Sequence, residues 1–68
     1  MTNSEVCNLA HSTAERLLSG FAAVKMTLTD CNGVARTAAS LDGFDPDSAQ
    51  GQLYQDRMVG HFINVQCT

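Results

Sequence analysis

The spacing of apolar residues changes period along the chain. Over residues 4–19, Val6, Leu9, Ala10, Ala14, Leu17 and Leu18 recur at three- and four-residue steps, with Asn8, Ser12, Glu15 and Arg16 between them. That is the pattern of an amphipathic helix of about four turns. Asn3 or Ser4 can supply its cap oxygen, Glu5 sits at the positive end of its dipole, and Gly20 offers a left-handed stop.

Residues 24–41 alternate instead, on either side of Asn32-Gly33. Those two residue types accept the positive φ angles of a type I′ turn at least cost, so the stretch predicts a β-hairpin. With a two-residue loop, Val24 faces Leu41, Met26 faces Ala39, Leu28 faces Thr37 and Asp30 faces Ala35, which makes one face mostly apolar. The other face carries Lys25, Thr27, Thr29 and Arg36 and stays in water. A three-residue loop would turn Arg36 toward the core, so the shorter loop is preferred.

Gly43, Pro46 and Gly51 punctuate a loop over 42–51. Two readings of the next segment compete. Pro46 after an Asp45 cap would open a short helix over Ala49, Leu53 and Arg57, or residues 52–57 would be extended; Gly51 weighs against the helix by about 1 kcal/mol. Residues 58–67 are rich in β-formers. From His61 they alternate, with Ile63, Val65 and Cys67 on one side and Phe62, Asn64 and Gln66 on the other, which predicts a final strand. The expected fold is therefore α+β: an N-terminal helix packed on a small antiparallel sheet of three or four strands.

Length and composition sharpen this picture. The 68 residues allow a single small domain over 1–68, and a chain of that size buries only about 60% of its unfolded surface. With 44% apolar and 16% charged residues it is too hydrophobic for a disordered segment. Its core must be small, and pairing with a second copy would enlarge it. A net charge of −3 and four basic residues, Arg16, Lys25, Arg36 and Arg57, provide no basic stripe for phosphate backbones, which disfavours nucleic acid as a partner. Cys7, Cys31 and Cys67 are an odd number at wide spacing, neither a closed disulfide framework nor a zinc motif, and a reducing cytoplasm suits them. The first ten residues hold no Lys or Arg, and no apolar run nears the ~18 residues of a membrane span, so neither a secretory leader nor a membrane segment is expected.

No motif names an activity. Cys7 and His11 are four apart on the predicted helix and could reach one metal ion, with His61 or Cys67 as a third ligand; as a thiolate and base they would lack an orienting group. Asp42, Asp45, Asp47 and Asp56 gather oxygens that could attract calcium. Counted from Asp45, however, Gln50 and Ala49 stand where a calcium loop needs glycine and a third acid, so turn formation explains the carboxylates better. His61 stands out by its apolar neighbours Phe62 and Ile63. None of these sets is complete, so no cofactor, resident metal or catalytic group is assigned. The expectation is a non-enzymatic interaction or regulatory module acting as a homo-oligomer, with a dimer favoured. Its candidate surfaces are Lys25, Thr27, Thr29 and Arg36 on the polar face, and Phe62, Ile63 and Val65 on the last strand.

One resemblance bears on an alternative. The run 24–45, with its alternating strand, Asn-Gly turn, second strand and Leu41-Asp-Gly-Phe-Asp45 step after an N-terminal helix, resembles the first half of an Sm-like RNA-binding barrel. It covers about a third of the chain. It lacks that family's bending glycine at 38–40 and the asparagine after Asp45. The resemblance implies a ring-shaped oligomer that binds uridine-rich RNA.

Overall fold

A computed structural model describes residues 1–20 and 26–66. Among them it contains three helices, α1 (Asn3–Gly20), α2 (Leu28–Leu41) and α3 (Ala49–Gln66), and no strand. The expected α+β fold, with its antiparallel sheet, Asn32-Gly33 hairpin and final strand, is thus replaced by a helical bundle. The first helix of that scheme is present, and of the two readings weighed for the segment after Pro46 the helix over Ala49, Leu53 and Arg57 is the one found, as the start of α3.

α1 opens one residue before the caps expected for it. The Glu5 N–H donates to Thr2 Oγ1 at 3.2 Å while the Thr2 N–H donates to Glu5 Oε1 at 3.0 Å, a reciprocal capping box. The backbone bond from Thr2, helped by its hydroxyl, holds the Glu5 carboxyl below its ordinary pKa. Gly20 ends the helix without entering the left-handed region; among the described residues only Gly43 does so, at φ 91°.

α2 forms where the hairpin was expected, and the reason lies at its first turn. Thr27 accepts from the Asp30 N–H at 3.2 Å and Asp30 accepts from the Thr27 N–H at 3.1 Å, so a second capping box nucleates a helix across the very residues that would have paired as strands. Cys31, Ala35, Ala38 and Ala39 then share one buried face, with Val34 half-buried beside it. Alanine is the best helix former, and Ala35, Ala38 and Ala39 offset the turn preference of Asn32 and Gly33, which sit exposed within the helix. Leu28, assigned to the apolar face of the hairpin, is 61% exposed, and Met26 is half-buried against the core. Val24 lies outside the described residues.

The Leu41-Asp-Gly-Phe step that suggested a barrel strand is a helix stop. Phe44 N–H donates to Ala39 O at 2.9 Å and Gly43 N–H to Ser40 O at 3.1 Å. With Gly43 left-handed, this is a Schellman cap.

α3 starts three residues beyond Pro46. Ser48 is its cap, accepting from the Gly51 N–H at 3.0 Å, and Asp45 Oδ1 accepts from the Asp47 N–H at 3.0 Å in an Asx turn. Gly51, which weighed against a helix here, is what lets the turn close. A Cβ at this position would lie 1.9 Å from the Asp45 carbonyl oxygen. Tyr54, Met58 and Phe62 follow at four-residue steps, all fully buried. Ile63 and Val65, placed on one side of the expected strand, are exposed.

The three large side chains of α3 meet α1 and α2 faces built chiefly of alanine, which lets the backbones approach. α1 and α3 run in the same direction: the Gln50 side chain donates to Met1 O at 2.5 Å near their starts, and His11 meets His61 farther along. The tight turn at 42–48 makes α2 antiparallel to α3. Both outer helices pack on α3 and scarcely on each other. The body measures 32 × 19 × 18 Å, about two helices thick, so every helix keeps a face in water.

Two glycine substitutions separate this fold from the hairpin. Gly33→Ala meets open space on the exposed face of α2, so it should stabilise the protein by about 1 kcal/mol in urea unfolding, whereas in a type I′ turn it would destabilise. Gly51→Ala should cost about 1–3 kcal/mol despite the better helix propensity, because the Asp45 backbone has to move.

Candidate functional site

Two polar constellations stand on opposite flanks of the buried stripe of α1. The first centres on Asp42, the C-cap residue of α2. Its Oδ2 accepts from the Tyr54 hydroxyl of α3 in a very short bond and from the Thr13 hydroxyl of α1 at 3.0 Å. Arg16 in turn donates to Thr13 Oγ1 at 3.2 Å. Tyr54 and Thr13 are buried, and among the described residues no buried side-chain nitrogen or oxygen lacks a partner. Burial, followed by the bond to the Asp42 carboxylate, pushes the Tyr54 phenol up to about 12. The buried hydroxyls of Thr13 and Tyr54 are both engaged within the protein, so this network is structural.

The second constellation joins α1 to α3. His11 and Glu15 are one turn apart on α1, with His11 Nε2 2.9 Å from Glu15 Oε1. His61 of α3 brings its ring edge-on to that of His11, centroids 4.4 Å apart at 68°. One ligand atom from each of the three lies within 4.8 Å of the other two. Beside them is an open cleft of about 560 Å³ lined by Cys7, Asp56, Arg57 and Asn64 together with the two histidines. His11 and Glu15 are exposed and His61 is half-buried, so the three face water along one edge.

The residues singled out in the sequence are distributed unevenly over this geometry. Cys7 and His11 do share a face, and His61 does approach, from a helix rather than a strand; the sequence reading missed Glu15. The signal for it was the four-residue step Cys7, His11, Glu15 along one stripe of α1. Cys67 lies outside the described residues. Asp42, Asp45 and Asp47 do not converge: Asp42 serves the helix junction, Asp45 the turn, and Asp47 takes a forked ion pair from Arg36 at 3.2 and 3.4 Å. Asp56 lies on the histidine cleft instead.

There is no sheet among the described residues, and so no polar sheet face. Thr27 caps α2, Thr29 lies in its first turn, Arg36 is two turns farther on, and Lys25 is outside the described residues. Of the second candidate surface, Phe62 is in the core, while Ile63 and Val65 are exposed. The described exterior adds Leu28 and, at 82% exposed, Leu41. Leu41 borders an open, mostly apolar cleft of about 290 Å³ between α1 and α2, with Thr13, Arg16, Leu17 and Ala38 on its walls. No described helix is long and apolar enough to cross a membrane.

The Asp42 network makes a pH prediction. Tyr54 is the only tyrosine, and the chain has no tryptophan, so phenolate absorbance reports it alone. Because its folded pKa, about 12, lies above the ordinary 10, its contribution is complete below pH 10 and is lost as pH rises toward 12. Stability should fall by roughly 2 kcal/mol over that window, and Tyr54→Phe should remove this component of the slope.

No family model, curated protein or solved structure matches the chain.

Proposed function

We propose that the protein is a non-enzymatic interaction module that works as a homodimer in a reducing cytoplasm. The observation that carries this reading is the open seam between α1 and α2. The two helices flank α3 without closing on each other, and Leu41 and Leu17 border the apolar cleft left between them. A chain of this length has a small core, and a second copy laid over the seam would add apolar burial that one chain cannot provide. Leu41 at the mouth of the cleft is the anchor of that contact.

The charge pattern supports a protein partner over nucleic acid. Of the four basic residues, Arg36 is paired with Asp47 and Arg16 is bonded to Thr13 beside the seam, within a chain of net charge −3. The Sm-like alternative loses its support with the strands on which it rested.

The test is oligomeric state. The wild-type chain should sediment as a dimer at micromolar concentration. Leu41→Glu should sediment as a monomer with unchanged helicity and a stability within about 0.5 kcal/mol, since the side chain is largely exposed. A wild-type chain that stays monomeric across that range would overturn the reading.

A further inference from the structure

We propose that His11, Glu15 and His61 form a binding site for a divalent transition-metal ion, with zinc as the best-fitting member of the class. The chain has two histidines, fifty positions apart, and the fold brings both rings together with a carboxylate already seated on one of them. Two imidazoles and one carboxylate are a borderline donor set that suits zinc and its neighbours and does not suit calcium or magnesium, which want oxygen alone.

The distances are within reach of ligation. Donors of a tetrahedral zinc centre with Zn–N near 2.0–2.1 Å lie roughly 3.3 Å apart. His11 Nε2 and Glu15 Oε1 are already 2.9 Å apart, and no pair in the set exceeds 4.8 Å. Closing the two sides that run to His61 asks for side-chain rotations of about 1.5 Å at most. His11 and Glu15 are exposed and have that freedom. On binding, the imidazole nitrogens turn their lone pairs to the ion and the His11–Glu15 contact becomes ligation of both groups to one centre. Three protein ligands leave the fourth position to water, on the side of the open cleft.

Cys7, one turn from His11, lines the same cleft but is not among the three converging groups, and it is not a ligand in this assignment. The site lies across α1 from the α1–α2 seam, so it stands or falls independently of dimerisation.

The test is zinc titration by calorimetry on the full chain, with Cys7, Cys31 and Cys67 replaced by serine in a parallel protein to remove thiol binding. One zinc per chain is expected in both, at the same affinity, with a rise in the unfolding midpoint on saturation. His11→Ala and His61→Gln should each weaken binding by roughly 100-fold or more, and Glu15→Gln by roughly 10-fold. Circular dichroism of the metal-free variants checks that the helices persist; Glu15, on the exposed face, is the substitution least able to disturb them. Cobalt loaded into the wild-type chain should show no thiolate charge-transfer band. Absence of zinc binding, loss of it in the serine variant, or histidine variants that bind like wild type would each overturn the assignment.

Discussion

A single carboxylate fixes how the three helices stand relative to one another. Asp42 ends α2, and its Oδ2 receives the Tyr54 hydroxyl from α3 and the Thr13 hydroxyl from α1. Hydrogen bonds to a charged acceptor contribute about 1.5–3 kcal/mol each, and removal of the carboxylate would take from the Tyr54 and Thr13 hydroxyls the acceptor they share. Burial of Tyr54, Met58 and Phe62 supplies the larger driving force, but that force has no direction. The bonds at Asp42 select one register among the arrangements in which those side chains would be equally dry. α1 and α2 scarcely pack on each other, and the Thr13–Asp42 bond links them directly.

The division of side-chain size follows from that geometry. α3 lies against both other helices, and it carries the bulky buried residues, while α1 offers Ala10 and Ala14 and α2 offers Ala35, Ala38 and Ala39. Large groups entering small-residue surfaces give close backbone approach without voids. The same economy leaves α1 and α2 with little apolar bulk to cover their own shared edge, and so the cleft beside Leu41 stays open.

The sequence disclosed α1 because its apolar period is unbroken from Val6 to Leu18. It misled at α2 because Asn32-Gly33 is a strong turn signal taken over a few residues, whereas the evidence for a helix was spread wider, in the Thr27–Asp30 box and the steps from Cys31 to Ala39. At α3 the four-residue steps Tyr54, Met58, Phe62 were hidden among Val59, Ile63 and Val65, whose β preference is a preference for packing that tertiary contacts overrode. Gly51 was read as a helix breaker although its missing side chain makes the preceding turn possible. The site was half legible. Cys7 and His11 share a helix face by arithmetic alone, but the meeting of His11 with His61 depends on α1 and α3 running side by side in one direction, which no local pattern encodes.

The seating of Gly51 beneath Asp45 makes α2, its turn and α3 an antiparallel pair whose contacts are close in sequence, while α1 meets its main neighbour only across the whole of α2. Bringing distant segments together costs more chain entropy than closing a short turn. During synthesis the first helix therefore leaves the ribosome with its apolar stripe uncovered, and it is sheltered only when the last helix has emerged.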